Sequence, residues 1–172
     1  YAARVAMLRR YLPDVGLTSD LIVGFPGETE EDFRESLGAL ERFRFDQVHT
    51  AAYSPRPGTQ AASMAPAVPE EERFRRLEEA NSLQRRIATE INRDRVGRVY
   101  EVLLDAPAPR GEGYLQGRTP QDKVVLVRGE VALLGTMGAV RITAGEPWGL
   151  RGEWANEGPP GDAGGVEGEE KA

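Results

Sequence analysis

Apolar residues in the first third of the chain alternate between two spacings. In residues 2–12, Val5, Leu8 and Leu12 fall on one helical face with arginines elsewhere, and Pro13-Asp14 ends the helix. Residues 17–24 are a short, mostly apolar run that reads as a buried strand closed by the turn Phe25-Pro26-Gly27. Thr29 with Asp32 three residues on resembles a capping box, opening a helix that buries Phe33, Leu37 and Leu40. A second strand, 47–53, runs into Ser54-Pro55-Arg56-Pro57-Gly58-Thr59. Helix, strand, helix, strand in this order predicts parallel β/α units, as in an α/β barrel or an open sheet.

Residues 60–69 are rich in Ala and Pro and read as a crossing linker. A long helix over 69–92 follows, with Phe74, Leu77, Leu83, Ile87 and Ile91 roughly in register and mixed Glu and Arg on its other faces. From Gly97 the period drops to two, with Val99, Glu101 and Leu103 alternating against Tyr100, Val102 and Leu104. Further short strands are expected at 124–127, 140–143 and 150–154, punctuated by glycines. Five short strands in some 60 residues make a small β-barrel of the oligonucleotide-binding size. The expected fold class is therefore α/β plus all-β. The expected boundaries are an α/β part at 1–68, a connecting helix at 69–92, a β-barrel at 93–155 and a disordered acidic tail at 156–172.

Composition narrows the chemistry. The 172 residues are 40% hydrophobic, enough to bury a core, and no apolar run is long enough to span a membrane. The start, Tyr1-Ala2-Ala3-Arg4, is neither an initiator methionine nor a secretion signal and reads as a piece of a longer chain. Cysteine is absent, so these residues alone offer no disulfide, Fe–S ligand or zinc thiolate. The lone histidine, His49, reads as a strand residue. A cytoplasmic setting follows by default. Net charge is −6, but the last seventeen residues carry five acidic groups against Lys171, leaving the rest near neutral at −2. The acidic total weakens a nucleic-acid partner without excluding one.

Three places can carry chemistry. The turn Gly24-Phe25-Pro26-Gly27-Glu28 ends a parallel strand, where α/β folds place ligands, and the helix after Thr29 offers free N–H groups to an anion. It reads equally as an ordinary strand-to-helix turn with a Thr cap. The Tyr53–Thr59 loop at the same end holds Arg56 between two prolines, suiting phosphate or carboxylate contact, or serving as a plain turn. In the barrel, residues 117–123 join two strands and present Arg118 and Lys123, with Arg95, Arg98, Arg128 and Arg141 as further candidates. These can grip phosphates, or balance the seven acidic residues of 98–154 within its seven basic ones.

The residues from Thr18-Ser19-Asp20-Leu21-Ile22-Val23-Gly24-Phe25-Pro26-Gly27-Glu28 to Thr29-Glu30-Glu31-Asp32-Phe33 closely resemble the late-barrel motif of radical S-adenosylmethionine methylthiotransferases. The run from Tyr53 to Thr59, then Ala61-Ala62, is similar to the next family block and nearest the tRNA-acting branch. Relatives acting on a ribosomal protein tend to be acidic where Arg56 and Pro57 stand. Val96-Gly97, Gly117-Arg118-Thr119, Val124-Val125 and Gly152-Glu153 resemble the family's TRAM domain. The resemblance covers about residues 1–155, in the family's order and spacing.

It implies the C-terminal part of a radical S-adenosylmethionine (β/α) partial TIM barrel, a linker helix and a five-stranded, OB-like TRAM barrel. The implied reaction adds a methylthio group to C2 of N6-(dimethylallyl)adenosine next to the anticodon of tRNA. The implied cofactors are S-adenosylmethionine and two [4Fe-4S] clusters, with an electron donor such as flavodoxin. By the same resemblance Gly24, Pro26, Gly27 and Glu28 would wall the S-adenosylmethionine pocket, and Tyr53, Ser54 and Arg56 would close the barrel near substrate. Arg118, Lys123 and, less centrally, Arg128 would contact RNA phosphates. No catalytic residue or metal ligand is expected here, and the fragment alone is expected to be inactive. Alternative substrates are N6-threonylcarbamoyladenosine in tRNA or a ribosomal protein; another alternative is a non-catalytic RNA-binding module.

Overall fold

The computed structural model describes residues 1–109 and 111–155, so the expected tail at 156–172 lies outside the described residues. The described residues divide into two compact units, 1–94 with 146–148 and 95–145 with 149–155.

In the first unit, α1 (Ala2–Tyr11), β1 (Thr18–Val23), α2 (Glu30–Phe43) and β2 (Gln47–Ala52) follow the expected order. β1 and β2 pair in parallel, from Thr18 opposite Gln47 to Val23 opposite Ala52. The capping box forms in full, with Thr29 Oγ1 accepting from the Asp32 N–H and the Asp32 carboxylate accepting from the Thr29 N–H. Phe33 and Leu40 are buried and Leu37 partly so. The first helix departs from expectation, because only Val5 of its apolar face is buried while Leu8 and Leu12 are exposed. It is fastened instead by Arg9, which donates to the carbonyls of Phe43 and Arg44, and by the Tyr1 ring set edge-on to Phe43.

The long helix, α3 (Glu70–Arg93), lies within this unit and packs on α2 and both strands. Its buried stripe is Arg76, Ala80, Gln84, Ile87, Ala88 and Asn92. Phe74, expected inside, is 56% exposed. Polar residues share the inner face with Ile87 because their donors are met there, as Gln84 shows by donating its buried amide to the Phe45 carbonyl at 3.0 Å.

The second unit is a closed barrel of β3 (Val99–Pro107), β4 (Tyr114–Arg118), β5 (Val124–Arg128), β6 (Met137–Glu146) and β7 (Gly149–Trp154), in the order β3-β4-β5-β7-β6. The five-strand count agrees with the sequence reading. Closure leaves no free edge in the barrel. The inward positions fill one core of Val102, Leu104, Leu115, Val125, Val127, Val140, Ile142 and Leu150.

Two glycines let the strands approach. A Cβ on Gly117 would overlap Val102 Cγ1 and lie 2.7 Å from the Leu103 carbonyl oxygen, and one on Gly152 would overlap Val140 Cγ1 and lie 2.8 Å from that of Arg141. Gly117→Ala or Gly152→Ala is therefore expected to cost about 1–3 kcal/mol in urea denaturation. Gly38→Ala, in α2 with open space at its Cβ, should instead be neutral or stabilising by up to about 1 kcal/mol. Equal effects at all three positions would refute close packing as the reason for the barrel glycines.

Candidate functional site

At the C-terminal end of β1 the chain must reverse into α2, and Gly24 takes φ +72° to begin that reversal. Glu28 holds the turn shut, its two carboxylate oxygens each accepting from the Gly24 N–H at 3.0 Å. The same carboxylate pairs with Arg76 at 2.6 Å, and Arg76 also donates to the Glu28 carbonyl at 3.1 Å. Arg76 is buried, lies over the Phe33 ring and makes a further pair with Glu72 at 2.8 Å.

Gly24 was expected to admit a ligand close to the backbone. What approaches it instead is the Arg73 side chain, whose Cγ a Cβ would overlap and whose guanidinium donates to the Tyr53 carbonyl. Gly27, at φ +86°, gives its N–H to the Pro66 carbonyl at 2.8 Å, bringing the 60–69 segment against the turn. Pro26 is buried and Phe25 exposed. The helix start is no anion site: Glu30, Glu31 and Asp32 fill its first turn, and the Asp32 pKa is lowered chiefly by the Thr29 backbone N–H.

The second loop stands at the same end. The Tyr53 N–H donates to the Val23 carbonyl at 2.8 Å, and its ring meets Phe25 edge-on at 5.2 Å. Ser54 and Arg56 are exposed, and Thr59 Oγ1 donates to the Arg56 carbonyl at 2.8 Å. The structure thus brings the Gly24–Glu28 turn and the Tyr53 loop together. Arg73 and Arg76, which bind the two loops to α3, went unrecognised in the sequence among the mixed charges of that helix.

In the barrel, Arg118 ends β4 between two carboxylates, Asp105 at 3.3 Å and Asp122 at 3.0 Å. Lys123 was expected to be exposed beside it but is only 8% exposed. The cause is a turn built on buried Thr119, whose hydroxyl accepts from the N–H groups of Gln121 and Lys123 and draws the lysine inward. Arg95 is buried too, donating to the Tyr100 hydroxyl at 3.1 Å. Arg98, Arg128 and Arg141 are exposed.

Residues 93–155 match the family model described as the TRAM domain. A Syntrophomonas wolfei protein named tRNA-2-methylthio-N(6)-dimethylallyladenosine synthase is 46% identical over 157 residues, covering 91% of this chain and 35% of that protein. Proteins of the same name from Acetivibrio thermocellus and Moorella thermoacetica are 45% and 42% identical, over 88% and 89% of this chain and 32% and 34% of their own lengths. The chain spans about a third of the length of these relatives. A parallel α/β unit followed by a TRAM barrel is the class that fold and sequence define. Within that class, the chain belongs to the methylthiotransferase family of these relatives.

The family's cofactors can be tested against these residues. The chain has no cysteine, and among the described residues no group of three His, Cys, Asp or Glu is placed to hold a metal ion, so it does not fit as the holder of a cluster. For S-adenosylmethionine, the Gly24 and Gly27 N–H groups and the Glu28 carboxylate are already engaged within the protein. The Tyr53 hydroxyl is buried without a hydrogen-bond partner among the described residues. The polar groups of the turn are thus met within the protein, and a ligand there would meet backbone and the Phe25 ring before any free donor.

Arg76→Ala would strand the Glu28 carboxylate in a mostly buried setting and is expected to cost about 3–5 kcal/mol in chemical denaturation. Arg75→Ala, which breaks solvent-screened pairs with Glu30, Glu72 and Glu79 and a stacking contact over Phe33, should cost far less. Hydrogen bonds from Arg75 and Arg76 lower the Glu72 pKa from 4.5 to about 2. That contribution to stability is complete above pH 4.5 and is lost as pH falls toward 2. Glu72→Gln should flatten this part of an acid-denaturation profile, and an unchanged profile would contradict the pairing.

Proposed function

We propose that this chain serves in a tRNA methylthiotransferase that adds a methylthio group to C2 of N6-(dimethylallyl)adenosine, at position 37 beside the anticodon. The observation that carries this reading is identity above 40% to proteins of that name across about nine-tenths of the chain. S-adenosylmethionine and two [4Fe-4S] clusters supply the radical and sulfur-transfer chemistry of such an enzyme. The cluster thiolates would come from residues other than these 172, which hold no cysteine. An electron donor such as flavodoxin and a cytoplasmic setting belong to the same reading. No helix among the described residues is long and apolar enough to cross a membrane.

Within that enzyme, the Gly24–Glu28 turn walls the S-adenosylmethionine pocket. Its rigidity supports the assignment, because Glu28 and Arg76 fix the backbone before any ligand arrives. Tyr53, Ser54 and Arg56 stand at the same strand ends and close the site toward substrate. The TRAM barrel holds tRNA through its exposed arginines, and Arg128 is the stronger candidate. Arg118 is largely neutralised by Asp105 and Asp122, while Arg128 is exposed and has no ion pair among the described residues.

The reaction is tested by nucleoside mass spectrometry of tRNA from a strain lacking the parent gene. The expected result is loss of 2-methylthio-N6-dimethylallyladenosine with accumulation of its unthiolated precursor; persistence of that nucleoside would sink the assignment. In salt titrations of tRNA binding, Arg128→Ala should lower the slope of log K against log salt by about one. Arg118→Ala should lower it less, because its charge is already shared with two carboxylates.

A further inference from the structure

One groove on the barrel has no part in the assignments above. The β3–β4 loop and the residues after β5 border an open groove of about 530 Å³, walled by Pro107, Pro109, Gly113, Tyr114, Gly129 and Val131. That is the size range of small-ligand sites. Gly111 and Gly113 take φ +105° and +78°, so the loop turns tightly and sends no side chain into the space from those positions. Tyr114 is 39% exposed and Val131 64% exposed, so both present apolar surface to the groove.

Strand register supplies the second observation. Tyr114 on β4 is the direct antiparallel partner of Arg128 on β5. Direct partners project from the same face with Cβ atoms about 4.5–5.5 Å apart. An open aromatic ring and an exposed arginine therefore stand side by side, and Gly129, next after Arg128, forms part of the groove wall. The third observation is charge. Glu112 and Glu130 line the groove and offer acceptors to ring and exocyclic N–H groups.

We propose that the groove is a base-binding subsite, in which an unpaired nucleotide of an RNA strand stacks its base on Tyr114 and sets its phosphate at Arg128. Aromatic platform, cation and acidic recess divide one nucleotide into base and phosphate, the arrangement by which single-stranded RNA is held. A basic peptide would suit the two carboxylates but would meet Arg128 as a like charge. The inference rests on the RNA-binding role proposed above and adds to it a named residue and an unpaired nucleotide.

The test is fluorescence anisotropy of the 172-residue chain with two labelled probes, a short single-stranded RNA and an abasic ribose-phosphate strand of equal length. Tyr114→Ala should weaken the RNA at least about fivefold and leave the abasic strand unchanged, while Tyr114→Phe keeps wild-type affinity. Arg128→Ala should weaken both strands. Val131→Trp, at an exposed position, should fill the groove and weaken the RNA alone, which keeps the test usable if Tyr114→Ala misfolds. RNA binding that is indifferent to Tyr114→Ala and Val131→Trp, or loses both strands equally, would overturn the subsite and leave tRNA binding standing. A wild-type chain that bound neither strand would overturn the RNA reading itself. An arginine-rich peptide binding in their place, and lost in Glu130→Gln, would assign the groove to a protein partner and overturn the proposal.

Discussion

The guanidinium of Arg76 lies buried where α3 meets the turn between β1 and α2, and a buried cation is tolerated only when its donors are met. Burial works against the charge, but the hydrogen bonds the guanidinium donates to Glu28 and Glu72 outweigh that and hold the Arg76 pKa above its ordinary value. Its donors go to the Glu28 carboxylate, the Glu28 carbonyl and Glu72, and its plane lies over Phe33. Through Glu28 the constraint reaches the Gly24 N–H, so one helix residue fixes a turn 48 positions away in the sequence. Arg73 repeats the device one turn earlier on α3, crossing Gly24 to reach the Tyr53 carbonyl. The two loops at the strand ends are therefore set by α3, and a helix that the sequence presents as a connector acts as the clamp of the site.

That clamp also explains which parts of the site could be read in advance. The capping box, the parallel strand pair and the inward alternation of the barrel each follow from local spacing, and each forms as expected. The inner face of α3 is a mixed case. Spacing of large apolar residues found Ile87, Leu77, Leu83 and Ile91, which pack on the core, but also nominated the exposed Phe74 and passed over Arg76 and Gln84, whose burial depends on partners in distant segments. Lys123 fails for a related reason. Nothing in its neighbours marks it as buried until the Thr119 hydroxyl gathers the N–H groups of the turn. Residues whose environment is made by one hydrogen-bonding partner far away, or by a turn's geometry, leave no periodic signal.

The barrel places different demands on its two faces. Eight aliphatic side chains fill the interior, and Gly117 and Gly152 allow strands to pass at distances no side chain would permit. Since closure satisfies the strand edges and the interior is full, recognition is left to outward positions and to the loops at the ends. Those outward positions are where charge is sorted. Arg118 is held between Asp105 and Asp122, and Arg141 donates to the Gly97 carbonyl, so each has work within the fold. Arg128 has no such ion pair among the described residues.

Net charge is consequently a poor guide to the partner. A chain of −6 overall still presents a local cation wherever an arginine lacks a neighbouring carboxylate, and screening confines each charge to roughly 8–10 Å. The number of phosphates such a surface meets is set by these few unneutralised arginines, and counterion release counts those contacts and not the total. The acidic residues then have a definite effect. Asp105 and Asp122 neutralise Arg118 within the fold, so the proposed phosphate contact falls to Arg128. On a barrel with nearly balanced charge, the position of each carboxylate decides which arginine keeps its charge for a partner.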